Sequence, residues 1–181
     1  MTKLMLAELR SQPLSEKRLL DIGGGVGVVS GELARSGIGG VTFVEASPAY
    51  LEVARGELEA RYGSRPIQFV LGDFTGMTEA VPDADVTTLD RVVCCYPDAD
   101  ALLRGAAART RQLLALTYPR DRWYVRIMIA FENLWRRFRG SGFRAFVHPA
   151  RRMCATLEAA GLVRTARHEK LVWVMDLYRR T

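Results

Sequence analysis

The fold of this chain is decided by one glycine-rich stretch, Arg18-Leu19-Leu20-Asp21-Ile22-Gly23-Gly24-Gly25-Val26-Gly27-Val28-Val29-Ser30. Its apolar beginning, Leu19 to Ile22, predicts a buried strand, and the glycines after it predict a tight turn. A helix is expected to open at Val28. Because glycine has no Cβ, Gly23, Gly25 and Gly27 allow positive φ angles and a close approach to a ligand. The free amides at the start of the helix favour an anionic group at the same place.

An acidic residue follows the next predicted strand. The apolar run Val41-Thr42-Phe43-Val44 predicts this strand, and Glu45 closes it, 22 positions after Gly23. In a doubly wound sheet, a carboxylate at this point reaches the two hydroxyls of a ribose bound over the glycine turn. The order of strand, glycine turn, helix, strand and acid therefore predicts a site for a nucleoside cofactor.

The rest of the chain alternates strands with helices. Strands are predicted over 67–71, 86–90 and 113–118, helices over 2–11, 48–62, 98–112 and 150–160, and turns over 63–66 and 82–85. The last two apolar runs, 162–168 and 171–179, have only two residues between them and predict an antiparallel hairpin. The alternation predicts an α/β fold with a doubly wound, mostly parallel sheet. No linker or repeat divides the chain, so residues 1–181 are expected to form one domain with a short N-terminal helix.

The composition is typical of a globular protein. Apolar residues make up 49% and charged residues 25% of the 181 residues, which is enough for a proper core. No apolar run approaches the roughly 20 residues of a membrane span, and the N-terminus has no signal-peptide pattern. The three cysteines, Cys94, Cys95 and Cys154, match neither a disulfide framework nor a C-x-x-C metal pair. We therefore expect a cytoplasmic protein without a metal, in which Cys94 and Cys95 pack in the interior.

Charge is distributed unevenly along the chain. Residues 1–90 hold 8 Lys and Arg against 13 Asp and Glu, whereas residues 91–181 hold 18 against 7. A basic half of this kind is compatible with a nucleic acid, an anionic membrane surface or an acidic substrate as the partner. The arginines are mostly spread along the sequence, so a solvated basic face is the expected state.

The glycine stretch carries a family resemblance. Asp21-Ile22-Gly23-Gly24-Gly25-Val26-Gly27 closely resembles the first motif of class I S-adenosylmethionine (SAM) methyltransferases. This resemblance implies a seven-stranded, Rossmann-like fold that ends in a reversed strand pair, with SAM as the cofactor and S-adenosylhomocysteine (SAH) as the product. It also implies that Asp73 accepts a hydrogen bond from the adenine amino group and that Phe74 lies against the ring. The residues that the resemblance assigns to the cofactor are Asp21, Gly23, Gly24, Gly25, Gly27, Glu45, Ala46, Ser47, Gly72, Asp73, Phe74 and Asp90.

A second resemblance concerns the methyl acceptor. The segments 89–98, 118–120 and 146–149 resemble a bacterial subgroup. Members of this subgroup are labelled as similar to magnesium-protoporphyrin methyltransferases. This implies methyl transfer to an oxygen of a hydrophobic small molecule, anionic in the porphyrin case. A carboxylate acceptor needs no strong base, whereas a phenol or an alcohol does. The candidate catalytic residues are Tyr96, His148 as a base, and Arg91 as a group that steers an acidic acceptor or else pairs with Asp90.

The segment 122–139 is unusual because apolar side chains fall on nearly every face of the predicted helix. A surface helix normally has one apolar stripe, so the pattern favours a helix buried in the core. The alternatives are a helix that lines a hydrophobic substrate pocket and a helix that forms an interface with a membrane or a partner. The oligomeric state stays open. Few residues precede Leu19, so the helices that usually close over the cofactor in this family are either minimal or missing.

Three functions from different classes compete. A SAM-dependent methyltransferase acting on a small molecule is favoured, and a SAM-binding module without catalysis, whose basic half binds a partner or RNA, is the alternative. An NAD-dependent oxidoreductase is disfavoured by Asp73-Phe74 and by the glycine spacing, which differs from G-x-G-x-x-G. A nucleic-acid substrate is not expected, because Asp90-Arg91-Val92-Val93 lacks the N/D-P-P-Y/F signature of enzymes that methylate base nitrogens.

Overall fold

A central seven-stranded sheet organises the computed structural model, which describes residues 1–62 and 65–181. The strands are β1 Arg18–Ile22, β2 Gly40–Glu45, β3 Ile67–Leu71, β4 Ala84–Asp90, β5 Thr110–Pro119, β6 Leu162–Glu169 and β7 Trp173–Arg180. Their order across the sheet is β3-β2-β1-β4-β5-β7-β6. The first five strands run parallel, and β7 runs antiparallel to both β5 and β6. The predicted doubly wound sheet with a C-terminal antiparallel pair is therefore confirmed.

Helices cover both faces of this sheet. They are α1 Thr2–Arg10, α2 Val28–Ala34, α3 Pro48–Tyr62, α4 Phe74–Met77, α5 Ala99–Arg109, α6 Trp123–Phe138 and α7 Ala150–Ala159. Because successive side chains of a strand point to opposite faces, Leu19 packs with the apolar residues of α1, α2 and α3, whereas Leu20 packs with those of α4, α5 and α7. Two apolar layers therefore hold β1 at the centre of the fold, directly before the glycine turn.

The strand order places a crevice at one edge of the sheet. The order reverses between β1 and β4, so the loops after these two strands diverge and leave space at the carboxyl ends. Backbone hydrogen bonds continue the pairing just past the strand ends, from the N–H of Gly23 to the carbonyl oxygen of Val44 (2.7 Å) and from that of Gly72 to Glu45 (3.0 Å). The ends of β1, β2 and β3 are therefore held side by side at the crevice.

Some element boundaries differ from the predictions. β4 begins at Ala84, inside the predicted turn over 82–85. α5 ends at Arg109 instead of continuing to residue 112, and Thr110 opens β5. The Thr110 hydroxyl lies 2.8 Å from a threonine hydroxyl of β4, and pairing with β4 in the sheet replaces the last turn of helix. The predicted turn over 63–66 falls partly outside the described residues.

Helix α6 lies on the surface, so the prediction that the segment 122–139 belongs to the core is wrong. Val125 and Ile129 are its buried residues, whereas seven other large apolar side chains are 44–79% exposed. Other helices already cover both faces of the sheet, which leaves α6 attached along a narrow strip. The Asn133 side chain secures this strip through hydrogen bonds with the backbone of Ala145 at 2.7 and 2.9 Å. Among the described helices, none has the length and the continuous apolar sequence that crossing a bilayer requires.

Candidate functional site

A cavity of about 510 Å³ opens at the carboxyl ends of the central strands. Its volume is in the range of pockets that bind small molecules and cofactors. The predicted cofactor residues in its wall are Gly23, Gly25, Glu45, Ala46, Ser47, Gly72 and Phe74. The predicted cofactor residues outside this wall are Asp21, Gly24, Gly27, Asp73 and Asp90. The other residues that line the cavity are Val44, Tyr50, Arg91, Val92, Cys95, Tyr96 and Phe143.

The glycines of the turn are required for two different reasons, positive φ angles and lack of space for a Cβ. Gly23, Gly25 and Gly27 have φ angles of 62°, 59° and 82°, in the left-handed region that glycine adopts without strain. Gly24 is required for space, since a Cβ there would lie 2.2 Å from the ring of Phe43. A Cβ on Gly25 would meet nothing within 4 Å, so its backbone is open to a ligand in the cavity.

The carboxylate of Glu45 closes one side of the cavity. Its Oε2 accepts a hydrogen bond from the backbone N–H of Gly25 at 2.9 Å, and its Oε1 accepts one from that of Ser47 at 2.8 Å. Glu45 is buried, so these bonds hold both oxygens in place. Each carboxylate oxygen can accept a further hydrogen bond, which leaves capacity for the two hydroxyls of a ribose.

Asp21 lies under the glycine turn and not in the cavity. It is 1% exposed and accepts hydrogen bonds from the hydroxyls of Ser30 on α2 (2.6 Å) and Thr88 on β4 (2.7 Å). Burial raises the pKa of its carboxyl to about 6, against the opposing effect of the two hydrogen bonds. Asp21 therefore ties β1, α2 and β4 together beneath the turn.

Asp73 caps α4 and is linked to the loop after β4. Its Oδ1 accepts hydrogen bonds from the N–H and the hydroxyl of Thr75 and from the Tyr96 hydroxyl at 2.8 Å. Burial acts to raise the pKa of Asp73, but these hydrogen bonds outweigh burial and hold the pKa below its ordinary value. Among the described residues nothing donates to Oδ2, which is therefore open to an amino group. Phe74, the next residue, is buried in the core and forms part of the cavity wall.

The wall contains five residues that are not among the predicted site residues: Val44, Tyr50, Val92, Cys95 and Phe143. Tyr50 lies in the first turn of α3, three residues after Ser47. Its closeness in sequence to the end of β2 is the signal that identifies it as a residue of the cavity wall. Phe143 reaches the wall from the loop after α6, and no sequence pattern places it there. Cys95 is exposed in the cavity, so the prediction that it packs in the interior is wrong, whereas Cys94 is buried as predicted.

A second cavity, of about 750 Å³, lies between α1, α2 and the end of β4. It is lined by Thr2, Lys3, Leu6, Arg10, Val28, Glu32, Asp90 and Arg91. The hydroxyls of Thr2 and Thr117 each donate to an oxygen of Asp90 at 2.6 Å. The guanidinium of Arg91 stacks on the ring of Trp173 at 5.0 Å, in place of the ion pair with Asp90 that the sequence left open. Arg91 lines both cavities and therefore marks the place where they adjoin.

The backbone of Arg91 is held in a left-handed conformation with φ of 62°, which is uncommon for a residue with a side chain. Its N–H donates to Oγ1 of Thr117 at 2.8 Å, and its carbonyl oxygen accepts from the thiols of Cys94 and Cys95. Strained backbone of this kind clusters at functional sites. The turn after β4 is therefore fixed by several bonds at the point where the two cavities meet.

The structure places the predicted base His148 outside the wall of the first cavity. Its Nε2 lies 2.9 Å from the carbonyl oxygen of Tyr96, to which it donates in the tautomer protonated on Nε2. It lines a separate cavity of about 200 Å³, beside Pro97 and Met153.

Burial, and then the hydrogen bond to Asp73, raises the pKa of the Tyr96 hydroxyl above its ordinary value, so this hydroxyl keeps its proton. In the described part of the chain, no three His, Cys, Asp or Glu side chains are grouped closely enough to hold a metal ion.

Comparison with known proteins identifies a family. The family model described as a methyltransferase domain matches residues 19–113, more than half of the chain, and this span includes the glycine turn, Glu45 and Asp73. No curated protein sequence matches the chain.

Solved structures share the fold at low sequence identity. Magnesium protoporphyrin IX methyltransferase from Synechocystis PCC 6803 with bound SAH is 19% identical with a TM-score of 0.80, over 99% of this chain and 82% of that chain. An O-methyltransferase family protein from Burkholderia thailandensis is 16% identical with a TM-score of 0.77, over 99% of this chain and 56% of that chain. The cyclase SpnF is 16% identical with a TM-score of 0.71, over 99% of this chain and 81% of that chain. Because a cyclase has this architecture too, the likeness shows the fold and does not decide the reaction.

Proposed function

Because this chain belongs to the methyltransferase-domain family, we propose that it is a SAM-dependent methyltransferase whose acceptor is an oxygen of a hydrophobic, anionic small molecule. The observation that carries the proposal is the carboxylate of Glu45, held against the glycine turn beside a cavity that suits a nucleoside. In this proposal residues 1–181 act as a single SAM-binding domain in the cytoplasm, where the three thiols stay free.

The residues of the first cavity suit the adenosine part of SAM. When bound, SAM supplies a methyl group that its sulfonium sulfur has already activated. In our proposal Glu45 accepts hydrogen bonds from the ribose hydroxyls, and Gly25 leaves room for them. Oδ2 of Asp73 accepts a hydrogen bond from the adenine amino group, and Phe74 and Tyr50 border the ring. The chain thus binds and orients the cofactor with groups that the glycine turn and the strand ends hold in place.

We place the acceptor in the second cavity. Arg91 borders both cavities, so its guanidinium can attract an anionic group of the acceptor toward the reacting end of the cofactor. Lys3 adds a positive charge to the cavity wall, whereas Arg10 and Glu32 form an ion pair at 2.8 Å. The carboxylate of Asp90 is held by the hydroxyls of Thr2 and Thr117. Leu6 and Val28 supply apolar surface for the body of the acceptor. This arrangement favours an acceptor that is both hydrophobic and anionic.

The protonation states favour a carboxylate over a phenol or an alcohol as the acceptor. A carboxylate is ionised near neutral pH and attacks without giving up a proton. Tyr96 retains its own proton, and His148 faces another cavity, so neither is placed to act as a base. The contribution of the protein is then to align the carboxylate with the methyl group and to exclude water.

Calorimetric titration with SAM and with SAH tests the cofactor site. We expect both to bind, and we expect Glu45→Ala to weaken binding by about 1–3 kcal/mol through the loss of charge-assisted hydrogen bonds. Glu52→Ala, which removes an exposed carboxylate from α3, is the matched control and should bind like the wild type. An unchanged affinity in Glu45→Ala would mean that the ribose is held elsewhere. A folded wild-type chain that binds neither compound would refute the proposal.

Turnover tests the acceptor. Porphyrins and aromatic carboxylic acids are incubated with SAM, and the formation of SAH is measured. We expect Arg91→Gln to raise the KM for the acceptor by a larger factor than it weakens SAH binding, and Arg104→Gln, which removes an exposed charge on α5, to change neither. An equal KM in wild type and Arg91→Gln would remove Arg91 from acceptor binding.

The alternative, a SAM-binding module without catalysis, is not favoured. It requires the basic C-terminal half to bind RNA or a partner, and it predicts SAH binding without turnover of any acceptor. The same titration and acceptor screen distinguish it from an enzyme.

A further inference from the structure

Helix α6 has an apolar face that is exposed to solvent and that the proposed methyl transfer does not use. The side chains of this apolar face are Trp123, Ile127, Met128, Phe131, Leu134, Trp135 and Phe138. Four of them are aromatic and 62–79% exposed. With about 200 Å² for each aromatic side chain, these four alone expose roughly 570 Å². Contiguous apolar patches of this size usually mark an interaction surface.

Arginines border the apolar face on both sides. At ~100° per residue, its side chains occupy an arc of roughly 140° around the helix. Arg126 and Arg137 lie beyond one edge of this arc, and Arg126 is paired with Asp121 at 2.6 Å. Arg139, the residue after the end of α6, lies beyond the other edge with its guanidinium over the Trp135 ring. The acidic residue of α6, Glu132, has its carboxylate bonded to Arg136 at 2.6 Å. The helix surface is therefore apolar in its middle and positive at its rim.

We propose that α6 docks this protein on an anionic membrane surface, with the helix lying flat and its apolar face inserted between the lipid headgroups. Helices with an aromatic-rich apolar face and a basic border bind to membranes in this orientation. The aliphatic stems of the flanking arginines cover apolar surface while their guanidinium groups reach the lipid phosphates. The net charge of +6 on the whole chain adds a longer-range attraction to the same surface.

Charge and chemistry disfavour two other occupants. In a contact between two copies of this face, the symmetry of a dimer brings the two arginine borders close together, and like charges repel. RNA can stack its bases on the four aromatic side chains of this face, but the aliphatic side chains of Ile127, Met128 and Leu134 among them offer no stacking surface and would stay uncovered. A bilayer satisfies the apolar middle and the positive rim together.

Phe143 connects helix α6 to the cofactor cavity. Its ring lines that cavity and lies under the guanidinium of Arg136, 4.8 Å away. At ~100° per residue Arg136 lies on the same side of α6 as the buried Val125 and Ile129, so the cavity is on the protein side of the docked helix. The docking proposal does not rest on the proposed function.

Co-sedimentation of the full chain with lipid vesicles tests the proposal. The vesicles contain phosphatidylcholine alone, or equal parts of phosphatidylcholine and phosphatidylglycerol. We expect binding to the anionic vesicles that weakens as salt is added, and little binding to phosphatidylcholine. The double variant F131E/W135E should bind at least about tenfold more weakly, because it places charges in the apolar face. Replacing Arg137 and Arg139 by Gln should weaken binding to the anionic vesicles about fivefold for each charge removed.

Val163→Glu is the matched control, because it makes the same kind of change at a half-exposed position at the opposite end of the sheet. It should bind vesicles like the wild type. Circular dichroism and SAH titration of every variant verify that the fold is intact. Loss of SAH binding with vesicle binding retained would remove the proposed function and leave the docking supported.

Three outcomes would overturn the docking proposal. One is a folded wild-type chain that does not sediment with anionic vesicles at low salt. Another is equal vesicle binding by wild type and F131E/W135E. The third is a wild-type chain that forms a dimer or binds single-stranded RNA, loses this interaction in F131E/W135E and does not bind vesicles. Helix α6 would then serve a different partner.

Discussion

Replacing Asp21 by asparagine should make the stability of this protein less dependent on pH. Asp21 is 1% exposed, and burial raises its pKa from the ordinary value of 3.8 to about 6. Between these two values the folded chain holds the proton more tightly than the unfolded chain. The stability that this carboxyl contributes is therefore fully present below the unfolded pKa and is lost as the pH rises through the folded pKa.

The size of the effect follows from the pKa shift. A shift of about 2 units at 1.36 kcal/mol per unit corresponds to roughly 3 kcal/mol. Asparagine is uncharged and has nearly the same shape, and its amide can still form hydrogen bonds with the hydroxyls of Ser30 and Thr88. Relative to Asp21→Asn, the wild-type chain should lose about 3 kcal/mol of unfolding free energy as the pH rises from about 4 to about 7.

Urea unfolding of both chains across this pH range measures the effect. The difference between the two chains removes the titration of every group that they share. Glu52→Gln, an exposed site on α3, reports the effect of losing one charge by itself. A constant difference between wild type and Asp21→Asn would refute the reasoning, because the Asp21 carboxyl would then be ionised in the folded state throughout. Since Asp21 lies outside the cavity wall, Asp21→Asn should bind SAH nearly as well as the wild type.

Two further changes test the site. Gly24→Ala should destabilise the fold by about 1–3 kcal/mol through its clash with Phe43, whereas Gly25→Ala should cost about 1 kcal/mol for its positive φ and mainly weaken SAH binding. Urea unfolding and SAH titration separate these effects, and equal stability losses would contradict the steric argument. When the Cys95 thiol ionises, a hydrogen bond from the Cys94 thiol stabilises the thiolate and lowers the pKa of Cys95, so iodoacetamide should modify Cys95 first. SAH should protect Cys95 from this modification, which peptide mass spectrometry measures. Modification at the same rate with SAH present would place the cofactor elsewhere.

Much of the fold was accessible from the sequence because it depends on local patterns. The apolar run before Gly23 predicts β1, and the alternation of such runs with helical segments predicts the doubly wound sheet that the structure confirms. Glu45 and the glycine turn meet at one cavity because adjacent parallel strands end at the same edge of the sheet. These statements need only side-chain periodicity and backbone stereochemistry, both of which are properties of short segments.

The remaining features were decided by the tertiary structure. Nothing in the sequence near Phe143 shows that it reaches the wall of the cavity, because its segment meets the loop of Cys95 and Tyr96 only in the folded chain. Burial raises the pKa of Asp21, and burial is a property of the packed layers around β1. Helix α6 shows the difference most clearly. Its composition favours a core helix, but the other helices already cover the sheet, so its apolar face remains in solvent. Composition determines that a side chain is apolar, and packing determines whether the protein itself has any surface left to cover it.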